Sequence, residues 1–309
     1  MDLLPEDAAR TGRRVLRLVV LTIVVLAALL VLRAGLLKRS AALNVQAALR
    51  GCAGQPGSER CRDAVMGDLY RTVGLEGALG QLRHAFAGEQ GRELGQSVCH
   101  DVYHKLGVLA GAALGENAIV AGASECDGGY YHGVFIAETS LTPTVCLLLH
   151  GDDARNCWHG AGHASYSTQV EPEPTPQPCQ FDGVGTYLSI CRQGYFMEYA
   201  HARNWAVTVL SACTELASDV VFDCVAPLTG GVLTSNPADA ERVLDVCADL
   251  GAHEATTDVS SVCWRAAGYA LGGVLREQQS RLADLPERCR GNKDCREGVE
   301  QAGQWSTSG

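Results

Sequence analysis

The chain of 309 residues carries 25 basic and 35 acidic side chains, for a net charge of −10 at pH 7. Beyond Ser40 the balance is 18 basic to 32 acidic, which argues against a nucleic-acid partner and against docking to an anionic membrane surface. The roughly 260 residues that follow the N-terminal segment are enough for one large core or for an extended array.

Leu18 to Leu32 contains no charge, and Thr22 is its only hydroxyl. Extended to Val15 and Leu37, the segment has 23 positions. As a helix it spans roughly 34 Å, enough to cross a bilayer. Arg17 and Arg33 lie near its ends, where they can snorkel to the headgroups. A cleaved signal peptide would have a shorter apolar run followed by a small-residue site, whereas Arg33, Lys38 and Arg39 follow here. Ser40-Ala41-Ala42 leaves cleavage open. The reading is a signal anchor over 15–37, with residues 1–14 as a cytoplasmic tail whose arginines give a small positive-inside bias. All 14 cysteines lie beyond residue 51 and their number is even, which suits an oxidising, extracytoplasmic compartment. The expected protein is a single-pass resident of the cell membrane with its main domain exported.

Residues 38–98 read as a stalk and an N-terminal helical segment. Ala41 to Leu49 has helical composition, and Cys52 and Cys61 bracket a turn containing Gly54, Pro56 and Gly57. From Asp63 to Phe86, Val65, Met66, Leu69, Tyr70, Val73, Leu79, Leu82 and Phe86 follow the helical period over one or two helices.

From Cys99 the cysteines keep a rhythm. Cys146, Cys179, Cys213 and Cys247 are 33, 34 and 34 apart, and Cys126, Cys157, Cys191, Cys224 and Cys263 are 31, 34, 33 and 39 apart. Two interleaved series at one period predict a helix-turn-helix repeat over 99–295, one series in each helix of the unit. Asn236-Pro237-Ala238-Asp239 should start a helix over Ala240 to Leu250, with Val243, Leu244, Val246 and Leu250 on its apolar face and Gly251 as its stop. Strand signals are weak. The fold class is therefore all-α, a disulfide-stapled helix-turn-helix array of α/α-solenoid type after one N-terminal transmembrane helix. Stapling each unit internally would pair Cys146–Cys157, Cys179–Cys191, Cys213–Cys224, Cys247–Cys263 and Cys289–Cys295, with Cys52–Cys61 and Cys99–Cys126 completing seven bonds. Cysteine-ligated metal is the weaker alternative, because no Cys-x-x-Cys occurs. Ser165 to Pro178, with proline at 172, 174, 176 and 178, reads as an extended loop, and residues 296–309 as a disordered tail.

Cysteine-stapled helix pairs at this period resemble, over roughly Cys99 to Cys295 and in rhythm only, the exported cysteine-rich members of the Sel1-like repeat proteins. That resemblance implies a superhelix whose concave face binds a protein partner. The strings Gly129–Gly133, Cys157–His163 and Gly194–Glu198 are also similar to strings in exported His/Cys-rich bacterial and archaeal proteins, a likeness that carries no activity with it.

Seven of the nine histidines lie between His100 and His201. His100/His104 and His159/His163 have i,i+4 spacing, which on a helix puts both imidazoles on one face, as helices offer two ligands to one metal. Six residues after successive leading cysteines stand His132, His163 and Met197, so stacked units would align them. The ligand candidates are His100, His104, His132, His159 and His163, with Met197, Glu138 and Glu198 as possible additions. Imidazoles with a carboxylate or thioether suit zinc, iron or copper better than magnesium or calcium, and five or six histidines could serve one ion or two. No His-Glu-x-x-His occurs, so the common metalloprotease arrangement is absent. Two other readings stand beside the metal: hydrogen-bonded core histidines in a scaffold for a protein partner, and metal-free acid/base groups.

Overall fold

The computed structural model describes residues 19–33, 45–53, 55–87, 94–122, 124–167, 179–181, 183–235, 240–252, 257–277 and 289–305. It divides into two compact units, one up to Gly95 and one over Gln96–Gly309. Among the described residues every regular element is helical.

In the first unit, residues 19–33 are helical and their large apolar side chains from Val19 to Leu32 are about half exposed or more. No helix among the described residues is long and apolar enough to cross a membrane; both ends of the expected span, 15–18 and 34–37, lie outside those residues. Residues 45–52 are also helical, with Val45, Leu49 and Cys52 buried and the Gln46 amide donating to the Ala85 carbonyl at 3.0 Å. Helix α1 (Ser58–Phe86) is broken at Gly74, where φ is +69°. The break resolves the choice between one helix and two: a left-handed residue interrupts the hydrogen-bond ladder, and only glycine takes it without strain. Cys52–Cys61 closes the turn between these helices.

The second unit runs α2 (Gln96–Leu114), α3 (Asn117–Val120), α4 (Gly129–Ala137), α5 (Gly151–Ser167), α6 (Leu188–His201), α7 (Ser218–Ser235), α8 (Ala240–Ala252), α9 (Thr257–Glu277) and α10 (Lys293–Trp305). The long helices pack in a row, α2 on α4, α4 on α5, α5 on α6, α6 on α7, α7 on α9 and α9 on α10, with α8 against α9. The largest fully buried side chains, Trp158, Tyr103, Tyr130, Tyr131, Tyr195, Phe135 and Phe196, fill the first part of this row. All seven expected cysteine pairs are at bonding distance.

The repeat is less regular than the cysteine rhythm suggests. Cys157, Cys191, Cys224 and Cys263 of the second series do sit on long helices, but Cys126 lies in the turn before α4, Cys146 and Cys213 lie on 3₁₀ turns, Pro143–Leu148 and Val207–Glu215, and only Cys247 of the first series is on a full helix. The expected helix over 240–250 continues past Gly251 to Ala252, and its start at 236–239 lies outside the described residues. So do 168–178 of the proline-rich loop; Ser165 to Ser167 belong to α5. Residues 296–305, expected as a disordered tail, continue α10 instead. Buried Cys295 and Ala302 lie on the face that meets α9, where Gly298 comes against the Arg265 carbonyl. The apolar face there is made of small residues, so polar neighbours mask it in the sequence.

One contact recurs along the row. In α2/α4 a Cβ on Gly107 would lie 1.9 Å from the Tyr130 carbonyl oxygen, and one on Gly133 would lie 1.9 Å from that of His104. In α5/α6 the pair is Gly162 against Cys191 (2.0 Å) and Gly194 against His159 (2.1 Å), and in α9/α10 it is Gly268 against Cys295 (1.9 Å) and Gly298 against Arg265 (2.0 Å). Each partner helix sets its carbonyl where any other residue would hold a methyl group. Gly162→Ala should therefore destabilise the protein by about 1–3 kcal/mol. Gly230→Ala in α7, where nothing lies within 4 Å of the added carbon, should be neutral or gain up to about 1 kcal/mol. Thermal melts of the two variants check this.

Candidate metal centre

The helix crossings carry the histidines inward. His100 and His104 come from α2, His132 from α4, and His159 and His163 from α5. The five form one cluster. Ring centroids are 4.9 Å apart for His100–His132, 4.8 Å for His132–His159, 4.2 Å for His132–His163, 5.1 Å for His159–His163 and 6.4 Å for His100–His104. His132 and His163 are 3% and 7% exposed. His132, His159 and His163 each present a ring nitrogen within 4.8 Å of the other two.

Hydrogen bonds fix which nitrogen each ring turns inward. His159 Nδ1 is 3.2 Å from the Ile190 carbonyl and His100 Nδ1 is 3.1 Å from that of Cys126. A carbonyl only accepts, so both Nδ1 atoms donate, and in the neutral ring Nε2 is left with a lone pair. His163 Nδ1 donates to Glu198 Oε2 at 3.0 Å, so in the neutral ring its Nε2 likewise carries a lone pair. The Nε2 atoms of His159 and His163 then face each other at 3.4 Å. Two acceptors at that distance repel unless a proton or a cation stands between them. Metal–imidazole bonds of about 2.0–2.1 Å place tetrahedral ligands roughly 3.3–3.4 Å apart, which matches. His132 Nε2 is buried with no hydrogen-bond partner, a condition that costs about 1–3 kcal/mol unless something else satisfies it.

Burial pushes His100, His104, His132 and His159 toward the neutral, metal-binding form. Desolvation, with lesser repulsion from neighbouring rings, lowers His104 to about 4, His159 to about 3 and His132 well below its ordinary value. His100 is lowered for the same leading reason. Burial would raise Glu198, but the hydrogen bond from His163 and the charges of His163 and His201 outweigh it and hold the carboxyl below its usual range.

The remaining candidates divide. Glu198 joins the cluster by orienting His163, and it also lies 3.5 Å from Nδ1 of exposed His201, a neighbour that no spacing or motif singles out. Met197, one position earlier and so about 100° around α6, is half-buried, and it is Glu198 that reaches His163. Glu138 ends α4 and accepts from the backbone N–H and hydroxyl of Ser140. The tyrosines are core groups: the Tyr130 hydroxyl donates to the Ala118 carbonyl at 2.9 Å and that of Tyr131 to Asp153 at 2.8 Å. The carbonyls that steer His100 and His159 were not legible, since any residue has one; the clue was only that both lie at or next to a cysteine.

Comparison with family models, curated proteins and solved structures finds no match to this chain.

The neutral imidazoles set an acid limit on the metal-free fold. Above pH 6.5 they are neutral both folded and unfolded. Below it the unfolded chain takes up protons that half-buried His104 and His159 refuse, so stability is lost progressively from about pH 6.5 down to about 4 and 3. Chelator-treated protein should show a melting temperature that falls steeply across this window; a flat profile between pH 6.5 and 4 would contradict the buried, neutral cluster.

Proposed function

We propose that this is a membrane-anchored, exported metalloprotein that holds a transition metal ion, zinc, copper or iron, on His132, His159 and His163. The observation that carries the reading is the convergence of three imidazoles, two of which, His159 and His163, face one another through Nε2 at 3.4 Å while their Nδ1 atoms are bonded outward. Outward Nδ1 bonds are how metal-binding histidines are held in one tautomer and orientation. Three neutral imidazoles leave the charge of a divalent ion uncompensated and a coordination position open, so the bound ion would supply Lewis acidity. Glu198 acts through His163: its carboxylate makes the ring more basic and fixes its angle.

The anchoring half of the proposal is supported by the length of the apolar run over 15–37 and by seven disulfides, which suit an oxidising compartment. The short arginine-bearing tail would stay in the cytoplasm, with the histidine centre outside.

The test is elemental analysis of the full chain, exported into an oxidising compartment and purified without chelator or histidine tag. At least one equivalent of zinc, copper or iron is expected, with the tightly bound equivalent lost from His159→Ala/His163→Ala. Substoichiometric metal that the substitutions leave unchanged, and that added metal does not restore, would overturn the reading and leave the array as a scaffold. Glu198→Gln keeps the size of the side chain but removes its charge. It should weaken metal binding by about 10–100-fold, measured by competition with a chromogenic chelator.

A further inference from the structure

The triad leaves two histidines of the same cluster unused. His100 and His104 repeat, one helix pair earlier, the construction that holds His159 and His163. In both pairs the histidines are four apart on one helix. In both, Nδ1 of the first donates to a carbonyl at the start of the next helix, Cys126 for His100 and Ile190 for His159, at 3.1 and 3.2 Å. In both, a glycine of that next helix closes on the carbonyl of the first histidine. A Cβ on Gly129 would lie 2.5 Å from the His100 carbonyl oxygen, and one on Gly194 would lie 2.1 Å from that of His159. Each of these glycines stands three residues after a disulfide cysteine, Cys126 or Cys191. The reciprocal glycine crossing of α5/α6 recurs in α9/α10, but there Arg265 and Tyr269 stand where α5 carries His159 and His163, and Arg265 pairs with Asp294 and Glu297. The construction is thus a general packing unit, and the first two copies alone arm it with imidazoles.

We infer that His100 and His104 hold a second transition metal ion, placed beside the first across the His132 ring, so that the cluster is a dinuclear centre. The inference rests on the triad's being a metal site. Two observations favour a second ion over an enlarged first site. A tetrahedral ion already bound by three imidazoles has room for one more, which would leave either His100 or His104 with a lone pair and no ligand to give it to. In addition, the ring contact between this pair and the triad runs through His132, with His163 farther off but within electrostatic reach of both. His100 lies 4.9 Å from the His132 ring, and on its other side that ring lies 4.8 Å from His159 and 4.2 Å from His163. Glu198, bonded to His163, is also within electrostatic reach of His104. One carboxylate therefore compensates charge on both halves.

The experiment titrates metal-free full-length protein with Zn(II) against a competing chelator, and with Cu(II) followed by electron paramagnetic resonance. The native protein should bind two equivalents, His100→Gln/His104→Gln one, and His159→Gln/His163→Gln should lose the tighter one. The copper signal should rise with the first equivalent and fall with the second, as two neighbouring ions couple magnetically. Circular dichroism reports folding of the variants. If the double variant does not fold, His104→Gln alone is read, since His104 is half-buried and its one close ring neighbour in the cluster is His100. One equivalent in native protein and in His100→Gln/His104→Gln alike would overturn the second ion while leaving the triad intact. One equivalent weakened by His100→Gln but not by His104→Gln would make His100 a fourth ligand and overturn it too. No bound metal at all would overturn both the second ion and the triad.

Discussion

The centre depends on backbone approaching backbone. At each histidine-bearing crossing a carbonyl oxygen of one helix occupies the space that a Cβ would fill on the next, and the residues that make this possible are Gly129, Gly133, Gly162 and Gly194. Small residues at helix crossings allow close axial approach and short Cα–H···O contacts. Here the consequence is chemical as well as structural. The carbonyls brought so close include those of His100, His104 and His159, so the same contact that sets the helix separation also sets how far each imidazole projects toward its neighbours. A wider crossing would place the rings beyond reach of one ion.

Disulfides hold what the glycines permit. Each closes a loop of modest length, from 6 residues at Cys289–Cys295 to 27 at Cys99–Cys126, and bonds of this kind stabilise by about 2–4 kcal/mol, chiefly by restricting the unfolded chain. Cys126 and Cys191 have a second role, since each sits where the next helix begins, beside the carbonyl that takes a histidine Nδ1 proton. The covalent staple therefore anchors the hydrogen-bond acceptor. Orientation of the imidazoles is inherited from the staple through one backbone group.

The cluster is costly as a purely structural object. Four imidazoles are pushed toward neutrality by burial, two lone pairs are opposed, and one buried nitrogen has no partner. Buried polar groups that serve only packing are ordinarily satisfied, as are the hydroxyls of Tyr130 and Tyr131, bonded to Ala118 and Asp153. What singles out the histidines for function is their convergence, three ligand nitrogens within 4.8 Å of one another with two of them opposed at 3.4 Å.

The sequence by itself determined the covalent frame and the set of imidazoles. Most cysteine separations are short and therefore local quantities, so internal stapling of each unit could be proposed from spacing, and the seven pairs proposed lie at bonding distance. The two i,i+4 histidine pairs could also be read from spacing, because a helix fixes the relation of residues four apart. The alignment of His132 with His163 followed from their shared offset after a cysteine. What lies between helices was decided only by tertiary structure: which of the adjacent Met197 and Glu198 meets His163, that Glu138 stays at its own helix end with Ser140, and which carbonyls fix the tautomers. Those outcomes depend on the rotation of one helix against another, a non-local property that a 100° step per residue makes impossible to read from order alone. The tail shows the same limit from the other side. Residues 296–305 are helical because Gly298 and Ala302 let α10 lie against α9, and that face exists only in the presence of its partner.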